Sequence, residues 1–68
     1  GLIGRLNINA IPAANVVLDG RPIGRTPIMG YSVKVGPHSI VLVGPDGQRA
    51  SRGTLVEAGA TATVVARL

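Results

Sequence analysis

Apolar and polar residues alternate near both ends of the chain, a period of two that is typical of half-buried β-strands. In residues 5–10, Leu6, Ile8 and Ala10 share one face, and an arginine and two asparagines lie on the other. Residues 61–68 alternate in the same way, with threonines opposite small and branched apolar side chains. The pattern therefore predicts a first and a last strand, each with one buried face.

The middle of the chain predicts further strands. Val16 and Leu18 continue an inward face, and residues 38–43 are apolar on both faces, as expected of a central strand covered on both sides. In residues 28–35 the alternation groups four side chains on one face, which we take as inward: Met29, Tyr31, Val33 and Val35. We therefore expect Tyr31 in the core, with its hydroxyl at the rim. The shared core is expected to consist of large apolar residues from the strongest runs: Leu18, Ile40, Leu42 and Val64.

Turn residues separate these strands. Asp19-Gly20 is a strong hairpin signal, because a type I′ turn needs positive φ at two successive residues. We expect Asp19, like Asp46, to hydrogen-bond within its own turn. Gly24 and Pro27 follow within a few residues, so the return strand from Arg21 is predicted to be a short edge strand.

These elements predict an all-β fold, a small antiparallel β-sandwich of about six or seven short strands and no helix. At 68 residues the chain is one domain, assigned to residues 4–68. It contains no cysteine, which excludes disulfides and the Cys₂His₂ type of zinc site. Valine, isoleucine, leucine and alanine must therefore supply the core.

Five short motifs occur in an order that resembles the PEGA domain, a family of small β-sandwich repeats. They are Pro12-Ala13-Ala14, Asp19-Gly20, Gly24-Arg25-Thr26-Pro27, Gly36-Pro37-His38 and Ala58-Gly59. The resemblance assigns structural turn roles to seven residues: Asp19, Gly20, Gly24, Thr26, Pro27, Gly36 and His38. One segment departs from the family pattern, because residues 44–47 read Gly-Pro-Asp-Gly where the family often has glycine followed by an aromatic residue.

The resemblance also implies a function. PEGA domains occur in surface-layer proteins and as accessory modules on bacterial membrane-anchored serine/threonine kinases. A member would be a non-catalytic scaffold, spacer or protein-interaction module of a larger envelope or signalling protein. Its partners would be neighbouring domains, repeats of the same chain or another envelope protein, and its location extracytoplasmic.

The residues themselves give little support to catalysis. His38 is the only histidine, and the acids Asp19 and Asp46 each precede or adjoin a turn glycine. One histidine with turn aspartates does not make a dedicated metal shell. Lys34, the only lysine, lies in a strand pattern and not at a hairpin tip, which argues against a carrier domain. We therefore predict no enzyme activity, no catalytic or metal-binding residue, no cofactor and no small-molecule substrate.

Charge leaves an alternative open. The net charge is +4, and Arg21, Arg25, Arg49 and Arg52 could together bind an anionic polymer such as nucleic acid or an acidic wall polymer. A single aromatic residue argues against base stacking, so we do not expect nucleic acid. The apolar runs are too short for a membrane helix, so direct membrane insertion is not expected either. The polar strand 48–55 is instead predicted to be an open edge, with its arginines either contacting a partner or preventing self-pairing.

Overall fold

The structure is a computed structural model that describes residues 2–68, and it confirms the predicted all-β sandwich. Seven strands are present, with no helix within residues 2–68. The strands are β1 (Ile3–Ile11), β2 (Asn15–Leu18), β3 (Arg21–Arg25), β4 (Ile28–Lys34), β5 (Gly36–Val43), β6 (Arg49–Val56) and β7 (Thr61–Arg67). They form a three-stranded sheet in the order β4-β1-β7 and a four-stranded sheet in the order β3-β2-β5-β6.

Strand pairing is antiparallel except between β1 and β7, which run parallel. The parallel pair was not apparent from the sequence, since it joins the two ends of the chain. The chain changes sheets four times, between β1 and β2, β3 and β4, β4 and β5, and β6 and β7. The shortest of these links is the single residue Val35, between β4 and β5. The outer face of β5 is only half-buried, so this central strand is covered on one side and not on both.

The core lies between the sheets and is built from the inward faces of β1, β2, β5 and β7. All four residues predicted to share it are buried: Leu18, Ile40, Leu42 and Val64 are 6%, 0%, 0% and 9% exposed. Leu6, Ile8 and Val16 are fully buried beside them. The strict alternation of the terminal strands is therefore a reliable guide to what packs inside.

The prediction for residues 28–35 was correct for Val33, which is buried, and wrong for the other three residues placed inward. Met29 is 70% exposed, Tyr31 38% and Val35 39%, whereas Ile28, on the opposite predicted face, packs on the core. Tyr31 lies opposite the buried Leu6, on the inward face of an edge strand, and Val35 lies in the link between the sheets. The errors at Ile28 and Met29 come from an irregularity in the β1–β4 ladder. Three steps along β4, from Ile28 to Tyr31, lie opposite two steps along β1, so the alternation shifts by one residue.

The shift is centred on Gly30, which has a φ of +65°. The side-chain carbonyl of Asn7 accepts a hydrogen bond of 2.7 Å from the Gly30 N–H and so holds the bulge. Glycine adopts this backbone angle without strain, which allows the bulge. Period-two alternation holds only along an unbroken strand. A prediction that assumes unbroken alternation over residues 28–35 therefore assigns the side chains before the bulge to the wrong face.

The loop that departs from the family pattern is closed by the end of the chain. Gly44 is buried, and a Cβ built there would lie 2.8 Å from Leu68 Cδ1 and 2.9 Å from Gln48 Oε1. Leu68 is partly buried against the core. An aliphatic side chain from the last residue thus packs against this loop.

The Asp19-Gly20 hairpin forms as predicted, with φ of +49° and +83° and Leu18 paired with Arg21 across the turn. We expect Gly20→Val to destabilise the domain by about 1–3 kcal/mol, since a β-branched residue is strained at positive φ. Open space surrounds this position, so backbone strain is the only cost. Thermal unfolding measures it, with the exposed Arg25→Ala as control. Equal melting temperatures for the two variants would contradict the turn assignment.

Candidate functional site

The turn residues predicted from the family motifs form two polar junctions. In the first, the tip of the β2–β3 hairpin meets the start of β5. The Asp19 carboxylate accepts a 2.8 Å hydrogen bond from the Ser39 N–H and contacts His38 Nδ1 at 2.5 Å. The other ring nitrogen of His38 lies 2.6 Å from the backbone carbonyl of Lys34. One imidazole thus ties the hairpin tip to the end of β4.

The bonding of Asp19 differs from the expected bond within its own turn. Its carboxylate reaches residues twenty and nineteen positions along the chain, Ser39 and His38. Two residues in positive-φ geometry turn the chain by themselves, which leaves the side chain free to bind β5. The interaction is tertiary, so the local sequence did not show it.

Both ring nitrogens of His38 face an acceptor, and this favours the doubly protonated form of the ring. A neutral imidazole has one N–H and one lone pair, so one of the two contacts would set a lone pair against an oxygen. The doubly protonated ring satisfies both. The backbone carbonyl of Lys34, followed by the Asp19 carboxylate, accordingly raises the pKa of His38 above its ordinary value of 6.5. The Ser39 N–H, followed by His38, lowers the pKa of Asp19 below 3.8.

We expect this junction to make stability depend on pH. The raised pKa of His38 contributes stability below about pH 6.5, which is lost as pH rises through the folded-state pKa. The lowered pKa of Asp19 contributes above about pH 3.8, and this part is lost as pH falls through its folded-state pKa. Both contributions are therefore present between these two values.

The measurement is the melting temperature of the wild type and of His38→Gln, taken at about pH 5 and about pH 9, on either side of the histidine's ordinary pKa. The deficit of the variant should be larger at the acidic pH, because the doubly bonded imidazolium is more populated there. A deficit that is the same at both pH values would show that the ring acts by packing alone. Asp19 is 46% exposed, so salt should weaken the effect.

The second junction joins Thr26 to Ala14. The Ala14 N–H donates to Thr26 Oγ1 at 3.0 Å, and the Thr26 N–H donates to the Ala14 carbonyl at 2.8 Å. Thr26 is 6% exposed, so its hydroxyl is buried in this contact. Gly24 lies at a bulge where β3 departs from its register with β2, with a φ of +128°. The Gly-x-Thr-Pro motif thus holds the end of β3 against the residue preceding β2.

The remaining motif residues shape the backbone. Gly36 has a φ of +121° at the point where the chain changes sheets, and Pro27 is exposed beside the Thr26 junction. His38, the only histidine, has both ring nitrogens engaged and only 12% of its side chain exposed. The two junctions stabilise the fold, and their polar atoms are occupied within it.

The four arginines considered as a possible interaction surface form two separate pairs. Arg21 and Arg25 lie on β3, and Arg49 and Arg52 lie on β6. These strands are the opposite edges of the four-stranded sheet, so about three strand spacings, roughly 14 Å, separate them. All four side chains are exposed. The structure offers two basic edges and does not bring the four together.

Several side-chain contacts in the structure were not predicted from the sequence. Arg5 donates to the Gly30 carbonyl and to Ser32 Oγ, both at 3.3 Å, across the β1–β4 pair. Arg52 donates to the backbone carbonyl of Ser51 at 2.9 Å.

The charged residues are divided between strands and turns. The three acids lie in turns, and every strand except β2 and β5 carries a cation, namely Arg5, Arg21, Arg25, Lys34, Arg49, Arg52 or Arg67. This separation could have been read from the sequence once strands and turns were assigned.

No helix among residues 2–68 is long and apolar enough to cross a membrane. No group of three or more histidines and acids in that part of the chain is placed to hold a metal ion.

Comparison with known proteins places the sequence in a family. Searches of curated proteins and of solved structures found no match. The family model described as "PEGA domain" matches residues 3–68, which is nearly the entire chain. The family is one of non-catalytic accessory domains, typically extracytoplasmic, that form parts of larger proteins. With a match of this extent over a seven-strand sandwich that carries the motifs in order, the chain belongs to the PEGA domain family.

Proposed function

We propose that this domain is a non-catalytic spacer and protein-interaction module of a larger bacterial envelope or signalling protein, placed outside the cytoplasm. The observation that supports the proposal most strongly is the use made of the reactive side chains. His38 bonds Asp19 and a backbone carbonyl, and the Thr26 hydroxyl is buried on Ala14. Groups that could do chemistry are thus engaged in holding the fold.

Shape also supports the spacer role. The domain is elongated, with extents of 37, 18 and 16 Å. Short turns and two side-chain junctions hold its strands, so it can separate neighbouring domains by a fixed distance. The free edges of its sheets also offer a surface to which a partner can bind.

The test replaces residues 3–68 in the full-length protein with an unrelated β-sandwich of similar length. The proposal predicts that any intrinsic activity of the parent is kept, while association with the domain's partner is lost. Turnover that disappears on replacement, returns when the free domain is added, and fails with His38→Ala would contradict a non-catalytic role. Location is checked by fusing alkaline phosphatase after Leu68 in the natural gene, since that enzyme becomes active only outside the cytoplasm.

An anionic polymer is a second candidate, favoured by the placement of all seven cations on strands. Retention on heparin distinguishes it from the first proposal. Polymer binding predicts elution at a salt concentration that falls when Arg49 and Arg52 are both changed to glutamate. A protein-interaction module predicts no retention at about 0.15 M salt, where charges farther apart than about 8 Å are screened.

A further inference from the structure

The four-stranded and three-stranded sheets leave four edge strands, β3, β4, β6 and β7. β3 contains Pro22 and a register shift, and β4 contains the bulge at Gly30. β6 pairs with β5 over all eight of its residues, and β7 with β1 over all seven, both without a shift. Of these two regular edges, β6 carries two arginines and β7 one. A regular edge presents evenly spaced backbone groups, which an added strand requires.

The hydrogen-bond pattern shows which β6 groups are free. The Gly44 N–H donates to the Gln48 carbonyl at 2.8 Å, which marks the even-numbered pairs of the β5–β6 ladder as the bonded ones. Pro37, which has no N–H, lies opposite Leu55 in an odd-numbered pair, as this alternation requires. The N–H and C=O groups of four residues therefore point away from β5: Arg49, Ser51, Gly53 and Leu55.

One of these outward groups, a backbone carbonyl, already accepts a hydrogen bond. The guanidinium of Arg52 donates to the Ser51 carbonyl at 2.9 Å. The side chain thus occupies the place that a partner's N–H would fill, and no rearrangement beyond a side-chain rotation is needed to release it. Leu55, at the far end of the edge, is 65% exposed and offers an apolar contact.

Charge decides what can pair with this edge. Each of the four edge strands carries at least one cation, and no strand within residues 2–68 carries an acid. Pairing the edge of one copy with an edge of a second copy would bring like charges together, which is destabilising. An acidic strand would instead find Arg49 on one side of the sheet and Arg52 on the other.

Building on the interaction role proposed above, we infer that the outer edge of β6 binds an acidic, extended peptide segment as an added strand. The N–H and C=O groups of Ser51 and Gly53 lie at the centre of the contact. Two acids three residues apart match the spacing of Arg49 and Arg52. When the segment runs parallel to β6, a branched apolar residue directly after the second acid lies beside Gly53 and diagonal to Leu55. Arg52 leaves the Ser51 carbonyl to pair with an acid, and the segment's own N–H replaces it.

The probe is a capped seven-residue peptide, Thr-Glu-Val-Thr-Glu-Val-Thr, and its control has glutamine in place of both glutamates. Amide hydrogen exchange of the chain is followed by NMR with and without each peptide. Binding as an added strand predicts that the outward amides of Ser51 and Gly53 exchange at least about tenfold more slowly with the glutamate peptide. The amide of Arg52, already bonded to β5, should change little, and the glutamine peptide should protect less.

Variants at Ser51 separate backbone pairing from charge attraction. Ser51→Pro removes an outward N–H without touching the β5–β6 ladder and should abolish protection at Gly53, whereas Ser51→Ala should keep it. If the proline variant unfolds, Arg49→Glu with Arg52→Glu serves instead and should abolish binding of the glutamate peptide with an unchanged fold. The native amide pattern of the free variant checks the fold.

Three results would overturn the inference. The first is that millimolar peptide causes no chemical-shift change. The second is that the peptide binds but does not protect the outward β6 amides. The third is that it protects the amides of Thr63 and Val65 on β7 instead. None of these bears on the spacer role, which the domain-replacement experiment tests by itself. Protection at β6 that the double glutamate variant retains would likewise rule out charge as the basis of partner choice.

Discussion

Gly4→Ala is expected to destabilise the domain more than any other substitution of a glycine. Gly4 is buried on β1, and a Cβ there would collide with Val56 Cγ1 and lie 2.5 Å from the Glu57 carbonyl oxygen. The Ala60 carbonyl oxygen would be 3.0 Å away. Two of these three neighbours are backbone atoms of the β6–β7 turn, so rotating a side chain does not relieve the clash.

Overpacking of a core typically costs about 1–3 kcal/mol and occasionally more, and the backbone contacts place Gly4→Ala at or above the upper end. The total stability of a domain of this size is about 5 kcal/mol, so a large unfolded fraction is expected near body temperature. The matched control is Gly53→Ala on β6, where a Cβ would meet no atom within 4 Å. Denaturant unfolding compares the two, and equal midpoints would show that β1 does not pass this closely under the turn.

Leu42→Ala is the second substitution with a large expected effect. Leu42 is fully buried on β5, opposite Val16 on β2 and Ala50 on β6. Truncation removes the buried methyl groups and leaves a cavity, which together cost about 2–5 kcal/mol. In a domain of this length each kcal/mol lowers the melting temperature by about 4–8 °C, so a fall of ten degrees or more is expected.

The control for Leu42 is an apolar residue on a strand that faces solvent. Val65 on β7 is 59% exposed, and Val65→Ala should cost under about 1 kcal/mol, chiefly through lower strand propensity. Thermal unfolding of both variants under one condition makes the comparison. A loss for Val65→Ala equal to that for Leu42→Ala would mean that the inward and outward faces have been exchanged.

The elements that the sequence predicted best are those whose pattern is local. The alternation in β1 and β7 and the Asp19-Gly20 turn each depend on neighbouring residues, so sequence order alone specifies them. The prediction failed at Ile28 and Met29 of β4 because a bulge at Gly30 shifts the alternation, and Asn7, which holds the bulge, is far away in the chain. A glycine within an apparent strand is an ambiguous signal, since it also occurs in unbroken strands.

The candidate site was less predictable, since it depends on approaches between distant segments. The motif residues Asp19 and His38 were found by resemblance, but their direct contact follows only from the β2–β5 register. The requirement for glycine at position 4 is a tertiary approach of the β6–β7 turn, which no local pattern records. The division of cations to strands and acids to turns was available in the sequence and becomes informative only with the sheet order.

The most direct test of the account is amide hydrogen exchange of the free 68-residue chain, read residue by residue along β6. A self-contained sandwich with an open β6 edge predicts alternation. The inward amides of Ala50, Arg52 and Thr54 exchange slowly, and the outward amides of Ser51 and Gly53 exchange at rates near those of an unfolded chain. Uniform protection of all five would show that the edge is already covered, and uniform fast exchange would show that β6 does not pair with β5. Either result would contradict the account.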